Sequence, residues 1–355
     1  MNRENRPPSR EPGTRCTLSM PSMPPASGSD LPNSDSRLPD LLPGGAALAH
    51  LIAQAEASFR AARAGSTLRA YAHDWKQFRL WSERQRLDPL PASPECVIFY
   101  ATDLTKNEGR RLNTLRRRLA AISQMHQQTG FEPPTRAWAV KQFLSGLRRE
   151  LGVAPTRKRP VLTDDLKRIL AEVPDTPLGK RDRALLLLGF AGAFRRSELV
   201  ALDVADLEDN REGLIVRIRK SKTDQEGEGR AVGIPRGADP PTCPVETLAV
   251  WRAAAKIESG PLFRGVNRHG QVLPERLSGE AVAIVVKRYV EPLGFDPSAF
   301  AGHSLRAGLA TSAAAAGKSE RAIMNQTGHR SLSTVRRYIR DGNLFRENAA
   351  EGIGL

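Results

Sequence analysis

Apolar residues between positions 44 and 151 recur with the spacing of amphipathic helices. One stripe, at intervals of three and four residues, consists of Leu68, Tyr71, Trp75, Phe78 and Trp81. Similar patterns predict helices over residues 96–104, 112–128 and 136–151, separated by breaks that contain Pro or Gly. We therefore predict a compact domain of four or five helices over residues 44–151, with the stripe in its core.

The second half of the chain combines helical patterns with one short strand pattern. Residues 181–194, RDRALLLLGFAGAF, are apolar enough for a buried helix, and Thr163-Asp164-Asp165 is typical of a helix cap. LIVRIR at 214–219 and the partly β-branched run at 230–235 flank the turn-forming KSKTDQEGEG, which predicts a small antiparallel sheet. Helical spacing predicts further helices over residues 247–257, 278–293, 303–316, 319–327 and 332–339.

Two segments of different composition mark the domain limits. Residues 1–43 are dense in Pro, Ser, Gly and Asp, which predicts a disordered N-terminal arm, either without function or clamped on DNA. GVAPTRKRP at 152–160 is polar, basic and interrupted by proline, which predicts an extended linker. The expected fold is mainly α, with a helical domain over 44–151 and a mostly helical domain with a small antiparallel β-sheet over 161–355.

The formal net charge of +15 predicts a surface that attracts polyanions. Nucleic acid is the leading candidate partner, and an ordinary basic protein is the alternative. Two groups of cations are candidates for contacts with phosphate, although a run of arginines on a helix is usually a solvated face. They are Arg110, Arg111, Arg116, Arg117 and Arg118 in the helical domain and Arg157, Lys158 and Arg159 in the linker.

The cysteines and the apolar runs narrow the cellular setting. Cys16, Cys96 and Cys243 lie far apart, without the spacing of a metal site or a disulfide framework. No apolar run reaches the roughly 20 residues of a membrane span, and the N-terminus lacks the pattern of a signal peptide. We expect a cytoplasmic protein with reduced thiols and no membrane partner.

The C-terminal half contains the residue types that cleave a phosphodiester with a protein nucleophile. Such a reaction needs cations at the phosphate oxygens, an acid for the leaving oxygen and a hydroxyl that becomes covalently attached. Arg195 follows the predicted buried helix, and Glu198 comes one helical turn later. His303 and Arg306 are three residues apart, so we expect them on one helix face.

The remaining candidates are a lysine, a second histidine and a tyrosine. Lys222 lies in the predicted hairpin turn, where a flexible side chain could deliver a proton. Tyr338 follows His329 by nine positions, and we expect nearby guanidinium groups to ease the loss of its phenolic proton. Each residue alone is ordinary core or surface in most proteins, and only their joint order carries information.

That order, RRSEL, SKT, HSLR, GH and then Tyr, resembles the tyrosine recombinases of the phage integrase family. The resemblance covers residues 161–355 by motif, whereas residues 44–151 match only in helical character. It implies a SAM-like core-binding domain followed by the tyrosine recombinase catalytic fold. It also implies that Arg195 and Arg306 bind the scissile phosphate, Lys222 is the general acid, and His303 and His329 assist. Tyr338 would attack, Glu198 matches the family's supporting acidic residue, and Arg196 is left for DNA or solvent.

The resemblance further implies site-specific exchange of DNA strands through a 3′-phosphotyrosyl link and a Holliday junction. A homotetramer would act on two duplexes, without ATP, metal or other cofactor, and the chain indeed lacks a GxxxxGK[ST] loop. Integration, excision and resolution, for example of a mobile element, all fit. The tail over residues 342–355 could dock on a neighbouring protomer or fold back. The alternatives are a non-enzymatic DNA-binding protein on the same fold and a type IB topoisomerase-like enzyme.

Overall fold

The structure is a computed structural model of the chain. It describes residue 54 and residues 65–152, 157–219 and 229–343. The predicted arm over residues 1–43, the turn that contains Lys222, and the tail from residue 344 onward lie outside the described residues. The chain divides into two compact units, Met1–Pro155 and Thr156–Leu355, and this division falls within the segment 152–160.

All regular secondary structure in the described part of the first unit is helical. Its helices are α1 Gly65–Arg84, α2 Pro94–Thr102, α3 Leu112–Gln128 and α4 Trp138–Leu151, and a π-helical turn, Asp103–Asn107, continues α2. Helix α3 has the predicted limits. Helix α2 begins two residues early because the Ser93 hydroxyl accepts a hydrogen bond from Cys96 N and Pro94 occupies the first helical position.

The predicted apolar stripe contributes to an aromatic core in this unit. Phe78 is fully buried, and its ring lies 5.0 Å from that of Tyr100 and 6.4 Å from that of Trp81. Offset and tilted pairs at these distances are the favourable arrangements of aromatic rings. The stripe is therefore a packing feature.

The second unit is also mostly helical, as predicted. Its helices are α5 Thr163–Ala171, α6 Pro177–Ala191, α7 Arg196–Ala201, α8 Pro244–Ala254, α9 Gly279–Val290, α10 Ser304–Ala315, α11 Glu320–Thr327 and α12 Leu332–Gly342. Helix α6 is buried on almost every side, which explains its run of four leucines. The predicted helix 181–194 begins earlier, because Thr176 caps it through Gly179 N, and ends at Ala191.

The predicted antiparallel sheet is present but larger than expected. Strands β2 Gly213–Ile218 and β3 Arg230–Pro235 pair antiparallel, and β1 Leu207–Asn210 pairs with the other edge of β2. A separate hairpin, β4 Arg264–Val266 and β5 Val272–Arg276, was not predicted. The missed strands are short and largely exposed, so they lack the alternation of apolar and polar residues that reveals a strand.

The core of the second unit lies between these helices and the three-stranded sheet. Trp251 of α8 is fully buried and donates its indole N–H to Leu262 O at 2.9 Å. Helix α10 packs against the start of the unit at Gly308, where a Cβ atom would collide with Val161 O. The N-terminal end of α10 is thereby fixed in the interior. Among the described residues, no helix is both long and apolar enough to cross a membrane.

Candidate active site

The tyrosine helix α12 is held in the second unit by a small apolar cluster. Val335 is fully buried and packs with Ala310 and Ala314 of α10 and with Ile323 of α11. Tyr338 lies three residues later and therefore on the same helix face. This packing directs the tyrosine toward the N-terminal end of α10.

Arg306, in the first turns of α10, is the most deeply buried cation of the site. Its side chain belongs to a residue that is only 1% exposed, and its Nη1 donates to Ala193 O at 2.7 Å. Its Nε and Nη2 are buried and have no hydrogen-bond partner among the described residues. Burial, followed by the charge of Arg195, lowers the pKa of Arg306 to about 10, so the guanidinium is charged at neutral pH.

Arg195 precedes α7 and is held in place by Glu198. The buried Glu198 carboxylate accepts hydrogen bonds from Arg195 N at 3.0 Å and from Arg195 Nη1 at 2.5 Å. The backbone bond is the returning half of a capping box, which fixes the start of the short helix. Glu198 thus orients Arg195, which is the role that we expected from its spacing. Arg196, the neighbouring arginine, is exposed.

His303 meets the tyrosine directly. Its Nε2 lies 2.9 Å from Tyr338 Oη. The helix was predicted to begin at His303, but His303 takes the N-cap position of α10 and Ser304 is the first helical residue. Desolvation by the surrounding atoms lowers the pKa of His303, and the charges of Arg306 and Arg195 lower it further. The ring is therefore neutral at pH 7, and its Nε2 can accept the phenolic proton.

The effect of the guanidinium groups on Tyr338 is smaller than we predicted. The charges of Arg306, Arg337 and Arg157 lower the pKa of the phenol, but burial is the largest influence and raises it on balance. The arginines do ease proton loss, as predicted, because their charges lower the pKa of Tyr338. Burial outweighs them, so the pKa as a whole is raised. Tyr338 consequently needs a base, and His303 is in contact with it.

His329 occupies the turn between α11 and α12, after Gly328 in the left-handed conformation. Its Nδ1 lies 2.7 Å from Thr327 Oγ1, and that hydroxyl donates its own proton to Ile323 O at 2.6 Å. The hydroxyl must therefore accept from Nδ1–H, which leaves Nε2 unprotonated. Burial, then the charges of Arg306 and Arg195, lower the pKa of His329 to about 3.

Arg230, the first residue of β3, belongs to the same site and was not among the predicted site residues. Its Nη1 donates to Gln326 O at 3.1 Å, and its Nη2 lies 3.7 Å from Glu198 Oε2. Its charge also contributes to the lowered pKa values of Arg306 and His329. One feature of the sequence could have identified it: Arg230 is the first residue of the strand that follows the predicted turn.

The cations predicted to contact phosphate in the first unit fall into two groups. Arg111 and Arg116 are exposed and, in the described part of the chain, form no ion pair. Arg117 instead donates from Nε and Nη2 to the fully buried Asp74, at 2.7 and 3.0 Å. Arg118 is largely buried and donates to Tyr100 Oη, and Arg110 pairs with Glu108.

The three linker cations are each engaged with the second unit. Arg157 pairs with Asp341 of α12 at 3.5 Å, and Lys158 donates to Ser298 O. Arg159 pairs with Asp165 and stacks on the rings of Phe295 and Phe300, with its Cζ 4.2 and 5.5 Å from the ring centres. These contacts fasten the start of the second unit.

The site contains no metal cluster within the described ranges, where no group of three or more His, Cys, Asp or Glu residues is arranged to hold a metal ion. Lys222, the proposed acid, lies outside those ranges. Arg195, His303, Arg306, His329 and Tyr338 lie together in one cationic cluster.

Comparison with known proteins shows which family and which relatives the chain resembles. Residues 160–343 match the model of the phage integrase family. An integrase/recombinase XerD homolog from Selenomonas ruminantium is 42% identical over 292 residues, which cover 81% of this chain and 85% of the relative. Recombinase Cre of Escherichia phage P1 is 26% identical over 304 residues, covering 78% and 86%.

Solved structures agree in fold. A lambda integrase dimer bound to a COC′ core site matches with a TM-score of 0.54 and 16% identity, covering 79% of this chain and 90% of that chain. At this level of identity the match concerns the fold alone.

Proposed function

The chain belongs to the phage integrase family and is a tyrosine recombinase for site-specific recombination, and we propose that Tyr338 is its nucleophile. Tyr338 attacks a DNA phosphodiester and carries the 3′-phosphate as a transient covalent link. The observation that supports this most strongly is the pair of unsatisfied buried donors on Arg306, close to the tyrosine.

The unsatisfied donors are unusual because a buried polar group without a partner costs about 1–3 kcal/mol. Arg306 has two such nitrogens, Nε and Nη2, on one planar guanidinium. Their parallel N–H groups match two oxygens of a phosphate, which is the geometry for which arginine is suited. Because both nitrogens are closed to solvent, a phosphate reaches them only after neighbouring side chains move.

The proposed reaction balances without an external energy source. The oxygen of Tyr338 bonds to phosphorus while its proton passes to Nε2 of His303, and the bond to the 5′-oxygen breaks. Lys222 gives a proton to the departing oxygen, as the family resemblance implies. Arg195 and Arg306 stabilise the charge on the non-bridging oxygens. His329, whose Nε2 can only accept, assists as a second neutral ring beside Tyr338, with 5.8 Å between the two ring centres.

In the second half of the reaction a 5′-hydroxyl of the partner duplex attacks the phosphotyrosyl link and releases Tyr338. One phosphodiester is broken and one is formed, so neither ATP nor a metal ion is needed for the exchange. The attacking 5′-hydroxyl gives its proton to Lys222, and the proton that His303 accepted returns to the tyrosine.

The proposed partner is double-stranded DNA, which agrees with the net charge of +15 and with the core site bound by lambda integrase. We also propose a homotetramer. A complete exchange between two duplexes breaks four strands, and each break occupies one tyrosine of one chain. Integration, excision or resolution of a mobile element, by way of a Holliday junction, is the proposed setting.

Covalent capture tests this proposal and selects the DNA target in the same experiment. The full chain is incubated with a pool of duplexes that carry a central nick and randomised flanks. After cleavage the short fragment with the 5′-hydroxyl diffuses away, and denaturing gels or phenol extraction isolate the trapped adduct for sequencing. The wild-type chain is expected to enrich one family of sequences.

Two tyrosine variants decide the assignment of the nucleophile. Tyr338→Phe is expected to form no adduct, whereas Tyr71→Phe, a matched loss of a hydroxyl in the first unit, retains it. An adduct that persists in Tyr338→Phe excludes Tyr338 as the nucleophile. A purely DNA-binding protein would enrich sequences only in non-covalent complexes.

A further inference from the structure

We infer that Arg230 is a positioning residue of the active site, which ties the Gly328–His329 turn to the carboxylate that orients Arg195. This inference rests on the proposed function, because it assigns a role within the same site. It concerns a residue that the predicted set of catalytic groups omits.

The Arg230 guanidinium connects two separate parts of the site. Arg230 Nη1 donates to Gln326 O, a carbonyl near the C-terminal end of α11, at 3.1 Å. Its Nη2 lies 3.7 Å from Glu198 Oε2, on the carboxylate that holds Arg195. The start of β3 thereby bridges the two elements that carry Arg195 and His329.

The backbone of the turn lies directly on this guanidinium. Gly328 has a φ of +63°, and a Cβ atom there would come within 2.8 Å of Arg230 Nε and 2.9 Å of Cζ. Glycine adopts this conformation without strain and permits so close an approach. His329 follows Gly328 directly. The contact of Gly328 with Arg230 therefore helps to fix the backbone position from which the His329 side chain extends.

Gln326 strengthens the same connection from the other side. Its Nε2 donates to Ala191 O at 2.7 Å and to Gly233 O of β3 at 3.1 Å. The end of α11 is therefore attached to β3 at two points, one through Arg230 and one through Gln326. Together these bonds limit the movement of the turn relative to the sheet.

The charge of Arg230 adds to the geometric argument. Burial lowers the pKa of Arg230, and its Nε and Nη2 have no hydrogen-bond partner among the described residues. A buried cation that is satisfied only in part, by Gln326 O and the ion pair with Glu198, is costly for a purely structural link, which a neutral side chain could provide. Arg230 acts, with Arg306, Arg195 and His303, on the pKa of His329 and helps to keep its ring unprotonated.

Three variants separate positioning from DNA binding and from simple folding. Arg230→Gln removes the charge but keeps an amide donor, and Arg230→Lys keeps the charge but cannot reach Gln326 and Glu198 together. Arg217→Gln is the matched control, since Arg217 lies on the neighbouring strand β2 and forms an exposed pair with Glu208. All three are compared with the wild-type chain by thermal melting.

The first measurement uses the full chain without DNA and so does not depend on the proposed function. Histidine-selective ¹⁵N labelling reports the Nδ1–H resonance of His329, assigned with His329→Gln. Arg230→Gln is expected to shift or broaden this resonance, whereas Arg217→Gln leaves it in place. An unchanged His329 resonance in a folded Arg230→Gln chain would overturn the inference.

The second measurement is the single-turnover rate of adduct formation on a duplex from the covalent capture, at saturating DNA. We expect Arg230→Gln to lose about tenfold or more in rate with an unchanged Kd, and Arg230→Lys to recover part of the loss. A Kd that weakens in proportion to the rate would make Arg230 a DNA contact and refute the positioning role. If Arg230→Gln does not fold, a wild-type rate in Arg230→Lys refutes it instead.

Discussion

At the scale of single residues, the site combines buried cations with neutral histidines. Arg306 and Arg195 both lower the pKa values of His303 and His329, because like charges disfavour protonation of the rings. The same cations attract an anionic phosphate. One set of charges therefore prepares the site for its substrate and keeps the histidines available as proton acceptors.

The first prediction concerns how far the buried Arg306 lowers the stability of the folded chain. Arg306→Gln can keep the bond to Ala193 O and removes two unsatisfied buried nitrogens. We expect a large loss of adduct formation, about 100-fold or more, with a melting temperature equal to or above that of the wild type.

Arg181→Gln is the control for this prediction. Arg181 is equally buried but is fully paired with Asp182, at 2.8 Å from Nε, and it also donates to Arg264 O. Its loss should destabilise the chain by about 1–3 kcal/mol, since Asp182 Oδ1 loses both of its hydrogen bonds and only Oδ2 keeps its bonds from Arg288 and Tyr289. A melting temperature that falls as far in Arg306→Gln as in Arg181→Gln would contradict the assignment of Arg306 to substrate binding.

The second prediction concerns the proton acceptor. His303 must be neutral to receive the proton of Tyr338, and its pKa lies below the ordinary 6.5. The midpoint of the decline in adduct rate with falling pH should therefore lie below pH 6.5. Single-turnover rates between pH 8 and pH 5 test it, with His269→Gln as an exposed control. A midpoint above pH 6.5 would argue against His303 as the base.

At the scale of elements, His126 of α3 fastens the loop before α2. Its Nδ1–H donates to Ile122 O at 2.8 Å, and its Nε2 accepts from Ala92 N at 2.9 Å, which requires the neutral ring. Burial lowers the pKa of His126 in the folded chain. This histidine therefore belongs to the packing of the first unit and not to the chemistry.

The third prediction follows from this lowered pKa. Below pH 6.5 the unfolded chain binds a proton at this residue that the folded chain does not, so the free energy of unfolding falls with decreasing pH. In urea titrations at pH 7.5 and 5.5, the wild type should lose more stability than His126→Gln. Equal losses in the two chains would show that His126 is not held neutral.

The sequence predicted elements well where the apolar pattern is continuous and poorly where hydrogen bonds set the limits. Helix α3 has its predicted bounds because its buried residues recur at helical spacing from Leu115 to His126. Strand β1, by contrast, has the polar sequence LEDN and is defined by its pairing with β2. Such pairing depends on a distant segment and leaves no local signal.

At the scale of the whole molecule, the net charge overstates how many cations are available to DNA. Several predicted phosphate contacts are used inside the chain, among them Arg117 on Asp74 and Arg159 on Phe295. Arg111 and Arg116 remain exposed. A sequence shows that arginines cluster, but only the fold shows which of them are already paired.

The fourth prediction uses this distinction. Arg116→Gln is expected to weaken DNA binding and to reduce the slope of log K against log salt by about 1, the value for one phosphate contact. Arg117→Gln should lower the melting temperature instead, because the buried Asp74 loses two hydrogen bonds and keeps only the Arg118 guanidinium, at 4.0 Å. Equal salt slopes for the wild type and Arg116→Gln would remove Arg116 from the DNA interface.

The membership of the candidate site could be predicted in part, without Arg230, and its detail could not. The order of RRSEL, HSLR, GH and Tyr identified the residues that meet, because spacing along the chain is a property of sequence. The protonation state of His329 depends on Thr327, and the role of Arg230 depends on the turn at Gly328, so both required coordinates.

The central claim is that Tyr338 carries a 3′-phosphate, and mass spectrometry of the trapped adduct tests it most directly. The adduct is treated with nuclease and digested with a protease that does not cut after arginine, since Arg336, Arg337 and Arg340 surround the tyrosine. We predict a fragmented peptide with the nucleotide on Tyr338, joined through its 3′-phosphate. A nucleotide on any other side chain, or one joined through a 5′-phosphate, would contradict the account.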